Sequence, residues 1–226
     1  MEYIKEFNEY SFDNWFKDSK IVNTNGTPKV VYHQTNNKAK EGIYKKGFDI
    51  SKGQARLSDN LVPEGFFFKE NDSNIQLSKD NTQLKFYLSI QNPLIVKSRD
   101  HVLYEIGKIN KEFLEKYYKH DAVDKEYKHK FDELFVKHDD QSIELTDDLL
   151  DEWKKFVRKD SKILREMITK TLIDNGYDGM IIEKDVGSFG RVIKTIIALY
   201  PNQIKSIDNR TYNPNSNKVN ENKNSI

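Results

Sequence analysis

One stretch decides the fold of this chain: Thr195-Ile196-Ile197-Ala198-Leu199-Tyr200-Pro201-Asn202-Gln203-Ile204-Lys205-Ser206. Its apolar run from Ile196 favours a short buried strand, and Pro201 marks the turn after it. Two other segments have the same form, Val30-Val31-Tyr32-His33-Gln34-Thr35 and Gly65-Phe66-Phe67-Phe68. Each is a strand-like run that ends in, or is flanked by, polar residues. Such strand ends are common places for functional sites.

The other elements follow from hydrophobic period and turn residues. A short N-terminal helix is predicted to begin after the capping residue Ser11, and a second helix over 38–46 is predicted to end at Gly47. Further strands are predicted at 29–33, 84–90, 94–96, 180–182 and 191–200. Residues 97–176 show apolar residues near a 3.6-residue period, which predicts a helical insertion ending at Asn175-Gly176.

These elements predict a small β core, interrupted by helices, in a single domain over residues 1–206. A polar loop is predicted at 51–63. Residues 207–226 are rich in Asn, Ser and Lys, so we expect a polar tail that is disordered unless it wraps the domain.

The composition excludes several classes of site and gives no sign of a highly charged partner. The 226 residues include 37 basic and 36 acidic ones, and a net charge of +1 gives no sign of a nucleic-acid or membrane partner. The absence of cysteine excludes disulfides, thiolate nucleophiles and Cys-based zinc sites. The N-terminus is charged where a secretory signal would be apolar, and no run reaches membrane-spanning length. We therefore expect a cytoplasmic protein.

One of the five histidines stands apart. His33 closes an apolar strand and precedes two polar residues, whereas the others lie in highly charged helical sequence and are predicted to be solvated. Those others are His101, His120, His129 and His138. Two interpretations of His33 stay open on the residues alone: a site residue, or a histidine whose bonds are satisfied at the edge of the core.

Taken in order, the three segments resemble the motifs of the ADP-ribosyltransferase fold of the diphtheria-toxin and poly-ADP-ribose-polymerase type, the His-Tyr-Glu type. They are most similar to the small phage and mobile-element members, the polyvalent-protein members. Pro201 to Ser206 matches the phage-type third motif letter for letter, and Tyr177-Asp178-Gly179 resembles a turn of the same members. The resemblance implies an α+β fold: a split mixed and antiparallel β core with an N-terminal helix and a helical insertion. It also implies NAD as substrate and no metal.

The resemblance assigns roles to the first two segments. In the family a His followed by Gly and then Ser or Thr binds the nicotinamide ribose and carboxamide. Here the triplet is His33-Gln34-Thr35, so His33 would orient the ribose while Gln34 and Thr35 hold nicotinamide and its ribose. Phe67 takes the place of the tyrosine that stacks on nicotinamide. It keeps the π face, although a phenylalanine that merely fills the core is an equal alternative.

The third motif departs from the family at its acid. Gln203 stands eight positions after Thr195, so Thr195 occupies the place of the glutamate that binds the ribose 2′-hydroxyl and stabilises positive charge on the anomeric carbon. Losing such a group commonly lowers the rate roughly a hundred- to a thousandfold. Slow single transfer is therefore expected rather than chain elongation, with His33 and Thr195 as the catalytic candidates. Glu64, directly before the second motif, is a neighbouring acid that is a candidate to replace the missing glutamate.

Two functional hypotheses follow from the resemblance. The first is a mono-ADP-ribosyltransferase that cleaves NAD and modifies a macromolecule, with a protein favoured over nucleic acid, as a phage or mobile-element effector or toxin in the host bacterial cytosol. The second is a catalytically weak or inactive module of the same fold that binds NAD or ADP-ribose and acts through a macromolecular partner. A small nuclease toxin is the weakest hypothesis, because neither paired histidines nor a His-Glu-Arg set is evident.

Overall fold

The computed structural model describes residues 11–53, 62–70, 80–110, 161–186, 192–209 and 212–220. These residues form a seven-stranded sheet in the order β4-β5-β6-β2-β1-β3-β7. The strands are β1 (Val31–Asn36), β2 (Phe66–Lys69), β3 (Asn81–Leu88), β4 (Pro93–Val96), β5 (Gly179–Val186), β6 (Val192–Ala198) and β7 (Ile204–Ser206). Only β4 and β5 pair in parallel among them, and the other neighbours are antiparallel. The predicted α+β class with a mixed β core is confirmed.

Five α-helices lie within the described residues: α1 (Phe12–Phe16), α2 (Asn37–Lys46), α3 (Ile50–Gly53), α4 (Val102–Ile109) and α5 (Ser161–Asp174). Short 3₁₀ helices cover Arg99–His101 and Pro201–Gln203. Ser11 caps α1 by accepting a bond from the Asn14 amide at 3.2 Å, as predicted. Helices α4 and α5 lie in the predicted insertion, whose central part, 111–160, falls outside the described residues. The proposed domain and insertion boundaries therefore stay predictions.

The two faces of the sheet carry separate cores, because successive side chains of a strand point to opposite sides. On the helix-covered face, α4 and α5 pack on the sheet through Ile106, Leu164, Ile168, Met180 and Ile197. On the aromatic face, the core is built from Phe66, Phe68, Phe86, Ile196 and Ile204, with Phe48 packed against it. Strand β2 shows the division directly, since Phe66 and Phe68 belong to the aromatic face and Phe67 packs on the helix-covered face.

Three strands differ from the sequence prediction by three or more residues at one end: β1, β3 and β5, the last of which continues to Val186 beyond the predicted end at 182. The hydrophobic pattern ends β1 at His33, but the strand continues to Asn36, so His33 lies inside it. Its polar end pairs in register with the equally polar start of β3: Gln34 with Gln83, Thr35 with Thr82 and Asn36 with Asn81. Backbone pairing needs no apolar side chain, which is why the hydrophobic pattern stops too early at the end of β1 and begins too late at the start of β3.

The described part of the polar tail wraps the domain. Val219 is fully buried in the aromatic-face core, and its carbonyl accepts a bond from the Ser206 amide at 2.8 Å. The ammonium group of Lys205 is buried and donates to the carbonyls of Ser216 at 2.8 Å and Lys218 at 2.9 Å. Backbone bonding and one buried cation therefore fix a segment whose own composition is typical of disorder.

Candidate active site

His33 is held in one protonation state by its surroundings. Its Nδ1 lies 2.9 Å from the carbonyl oxygen of Phe67, and because a carbonyl only accepts, Nδ1 carries the proton. Burial lowers the pKa of His33 from its ordinary value, while the bond to Phe67 acts in the opposite direction. The imidazole is therefore neutral at physiological pH, and its Nε2 is a hydrogen-bond acceptor. Within the described ranges, no group bonds to this nitrogen.

Aromatic rings fix the plane of the imidazole. The ring of Phe48 meets it edge-on with a centroid separation of 4.9 Å, and the ring of Phe68 lies at 5.6 Å. Both phenylalanines belong to the aromatic face. His33 therefore leaves β1 on that face and is only half-buried.

The junction between β1 and β2 is short, and His33 lies across it. Within their strand ranges, β1 and β2 share one residue pair, Tyr32 with Lys69, whereas β1 and β3 share six. The bond from the His33 side chain to the Phe67 carbonyl crosses from β1 to β2 next to that pair. The narrow junction agrees with the predicted split core.

The other residues predicted to bind NAD lie close by in the chain but differ in orientation. Gln34 is exposed and Thr35 is half-buried, and both continue β1. The ring of Phe67 packs on the helix-covered face, on the opposite side of the sheet from the imidazole of His33. The structure thus brings His33 to the backbone of Phe67 and not to its ring, and the stacking role of Phe67 stays a prediction.

Thr195 belongs to a buried chain of polar bonds. Its Oγ1 lies 2.6 Å from Oδ2 of Asp185, and the same carboxylate binds Arg99 through both Nε and Nη2, the latter at 2.7 Å. Asp185 is fully buried, Thr195 is 4% exposed, and the Arg99 side chain is 29% exposed. We refer to Arg99, Asp185 and Thr195 as the polar triad.

Sequence reasoning missed Asp185 and Arg99, and the reason is a β-bulge. Ile182 pairs with Thr195 while Asp185 pairs with Ile193. The chain therefore advances three residues along β5 where it advances two along β6, which is one extra residue in β5. In a strand without a bulge, the side chain of Lys184 would lie on the same face of the sheet as Ile182 and Thr195, and the side chain of Asp185 would lie on the other face. The charged stretch Glu183-Lys184-Asp185 offered no signal of this reversal.

The register excludes Glu64 as a replacement for the acid at Thr195. Thr195 pairs with Lys69 at one end of β2, whereas Gly65, beside Glu64, lies against the Ala198 carbonyl at the other end. Four residues of strand separate the two positions by about 13 Å. Glu64 instead donates its backbone amide to Thr169 Oγ1 on α5 at 2.7 Å.

Two further kinds of feature are absent from the described residues. Within these ranges, no group of three or more His, Cys, Asp or Glu residues is placed to hold a metal ion. None of the helices in this part of the chain combines the length and the apolar character needed to cross a membrane.

Comparison with known proteins identifies the family. Neither a curated protein nor a solved structure matches the chain. One family model does match it, over residues 23–213, which is well over half of the chain and includes all three predicted motifs. That model describes an ADP-ribosyltransferase in polyvalent proteins, and it confirms the family that the motifs resemble. The chain therefore belongs to the ADP-ribosyltransferases of polyvalent proteins.

Proposed function

We propose that this protein is a mono-ADP-ribosyltransferase that uses NAD. The observation that carries the proposal is the state of His33, a neutral imidazole whose Nε2 accepts hydrogen bonds because Nδ1–H is committed to Phe67. A ribose hydroxyl donates the bond that such a nitrogen needs. NAD is the substrate of the family to which the chain belongs.

In the proposed reaction the bond between nicotinamide and ribose breaks, and its electron pair leaves with nicotinamide. A nucleophile of the acceptor then bonds to the anomeric carbon, and its proton passes to solvent. Positioning and charge stabilisation drive such a step. His33 orients the ribose, and Gln34 and Thr35, next in the same strand, hold the nicotinamide end.

The third-motif position supports transfer of one unit at a low rate. Thr195 brings a hydroxyl where the resemblance places a glutamate, and that hydroxyl already bonds to Asp185. Without a free carboxylate to stabilise the anomeric cation, repeated elongation is not expected. We propose a protein acceptor, because a net charge of +1 gives little attraction to nucleic acid, and an effector role for a phage or mobile element in the bacterial cytosol.

A second candidate function has its own observation in favour. The ring of Phe67 lies on the opposite face from His33, and the Thr195 hydroxyl is used in a buried network. Both facts favour a module that binds NAD or ADP-ribose without turnover and acts through a partner. Binding without release of nicotinamide separates this function from the first.

The test measures nicotinamide release and NAD affinity for the wild-type protein, His33→Ala and the control Lys40→Gln. Lys40 is exposed on α2, so its variant keeps wild-type behaviour. Release that requires His33 and rises when bacterial lysate supplies an acceptor supports the transferase. Binding that requires His33 without release supports the module, and neither binding nor release overturns both.

A further inference from the structure

We infer that the described part of the tail, 212–220, positions the imidazole of His33 through Gly47 and Phe48, which makes Phe48 a positioning residue of the candidate site. The inference rests on the proposed function only for its effect on NAD, because the contacts that carry it lie within the chain. Neither the tail nor Phe48 belongs to the three motifs.

Phe48 completes the surroundings of the His33 imidazole. Its ring meets the imidazole edge-on, with centroids 4.9 Å apart and an angle of 86° between the planes. The bond from Nδ1 to the Phe67 carbonyl fixes one atom of the imidazole, and a ring held at one atom is still able to tilt. The Phe48 ring limits this tilt, so it helps to set the direction in which Nε2 accepts a hydrogen bond. It also shields the imidazole from water.

The helix before Phe48 is weakly anchored by its own side chains. None of the residues of α2 is fully buried, and Ile43 and Tyr44, which pack against the aromatic-face core, are only partly buried. The helix ends at Gly47, whose φ of 84° is a left-handed conformation. Phe48 follows directly. Because a helix with few buried contacts opens readily, the position of Phe48 depends on what covers Gly47.

The tail covers Gly47. Gly47 is buried, and a Cβ built on it would overlap the carbonyl oxygen of Asn217. The Lys205 ammonium donates to the carbonyls of Ser216 at 2.8 Å and Lys218 at 2.9 Å, one on each side of Asn217. Lys205 therefore fixes the stretch of backbone that covers Gly47. A glycine is required there, because any larger residue would displace either the tail or the end of α2.

Displacing the tail should release Phe48 and let water reach the imidazole of His33. The groups that pack on the imidazole are uncharged: Phe48, Phe68, the cross-strand neighbour Leu84 and the carbonyl of Phe67. Burial lowers the pKa of His33, so exposure raises it toward the ordinary value of 6.5. A tilted imidazole also loses its bond to ribose, which corresponds to roughly a three- to tenfold rise in the Kd for NAD.

The first experiment compares Gly47→Ala with Gly26→Ala. The two glycines have φ values of 84° and 79°, so both variants carry similar backbone strain, but nothing lies within 4 Å of a Cβ at Gly26. An NMR titration gives the pKa of His33, and calorimetry gives the Kd for NAD. We expect Gly47→Ala to raise the pKa and to raise Kd roughly three- to tenfold, and Gly26→Ala to change neither.

A second pair of variants tests the ring itself. Phe48→Leu removes it, and the control Tyr177→Leu removes a partly buried ring from the helix-covered face. Phe48→Leu should raise the pKa of His33 and the Kd for NAD, whereas Tyr177→Leu should leave both at the wild-type values. In the His33→Ala background Phe48→Leu should have no further effect on Kd, because it acts through His33.

Other outcomes overturn the inference in distinguishable ways. An unchanged titration of His33 in Phe48→Leu would show that the remaining contacts hold the imidazole without that ring. Equal changes in Gly47→Ala and Gly26→Ala would assign the effect to backbone strain and not to the tail. If Phe48→Leu does not fold, Gly47→Ala and Lys205→Met still decide, since both displace the tail and should raise the pKa of His33.

Failure of the proposed function is recognised separately. A wild type that does not bind NAD overturns that function. If the pKa of His33 nevertheless rises in Gly47→Ala and Phe48→Leu and not in the controls, the positioning of His33 by the tail is supported independently of NAD.

Discussion

The carboxylate of Asp185 accepts a hydrogen bond from the hydroxyl of Thr195 across the β5–β6 pair, at 2.6 Å. The position where the motif resemblance places a glutamate is thus in contact with an acid from the neighbouring strand. This contact changes what a restored glutamate would do, because the two carboxylates would meet in a buried place.

Thr195→Glu is expected to destabilise the protein and not to restore an active acid. A second carboxylate beside Asp185 leaves one buried charge without a counter-ion, which lowers the free energy of unfolding by roughly 3 kcal/mol. Urea unfolding measures the change. Combining Thr195→Glu with Asp185→Ser leaves one acid near Arg99 and should recover most of the stability. Wild-type stability of Thr195→Glu alone would contradict the prediction.

Arg99→Ala is expected to lower the free energy of unfolding by roughly 3 kcal/mol, since it leaves the buried carboxylate of Asp185 unpaired. The value is at the low end for buried pairs because Arg99 is partly exposed. The stability of Arg99→Lys should lie between that of the wild type and that of Arg99→Ala, since an ammonium cannot bind both oxygens as a guanidinium does. The control is Lys108→Ala, which removes an exposed pair with Glu105 and should change stability by less than about 0.5 kcal/mol. Equal losses of stability in Arg99→Ala and Lys108→Ala would contradict the prediction.

His33 is expected to make stability depend on pH between 8 and 5. Because burial lowers the pKa of His33 below its ordinary value of 6.5, the unfolded chain takes up a proton before the folded protein does. The contribution of His33 is therefore complete above pH 6.5 and is lost as pH falls below it. Urea unfolding at pH 8 and pH 5 should show a larger loss for the wild type than for His33→Gln. Gln34→Ala should keep the wild-type difference, and identical differences for all three proteins would refute His33 as the source of the pH dependence.

Gly65→Ala is expected to destabilise the β2–β6 pair. A Cβ at this position would lie 2.6 Å from the Ala198 carbonyl oxygen and 2.7 Å from Cγ2 of Ile197, so the strands must separate. We expect a loss of roughly 2 kcal/mol in thermal or urea unfolding. Gly42→Ala is the matched control: it lies in α2 with open space around it and should gain about 0.5–1 kcal/mol. A gain at both positions would exclude the steric explanation.

Lys205→Met is expected to release the tail. The variant removes the donor to the Ser216 and Lys218 carbonyls, which lowers stability by roughly 2 kcal/mol. Limited proteolysis should then cut within 212–220 faster than in the wild type. Lys218→Met, at an exposed position of the same segment, should leave the cleavage rate unchanged. Unchanged cleavage of Lys205→Met would show that the other contacts of the segment, through Tyr212, Pro214 and Val219, hold the tail without Lys205.

Features set by neighbours in the chain were predictable from the sequence. The cap at Ser11, the glycine that ends α2 and the stop of α5 before Gly176 depend on a few adjacent residues, and the structure has all three. The aromatic strand β2 and its division between two faces follow from alternation in the same way.

Features that depend on distant partners were not predictable. Arg99 and Asp185 are 86 positions apart, and a one-residue bulge decides whether Asp185 meets Thr195. The end of β1 was missed because its pairing with β3 rests on backbone groups that every residue carries. The tail was uncertain because its order comes from contacts with distant residues, among them the Lys205 ammonium and the core that buries Val219, and not from its composition.

Within their strand ranges β1 and β2 share a single residue pair, so the sheet has a weakly paired junction there. One part is the plate β4-β5-β6-β2 and the other is the plate β1-β3-β7. Phe48 touches Phe66 and Phe68 on one plate and Phe86 on the other, so these rings brace the junction against folding toward the aromatic face. The orientation of the two parts of the sheet relative to each other therefore depends on the packing of these four rings at the junction.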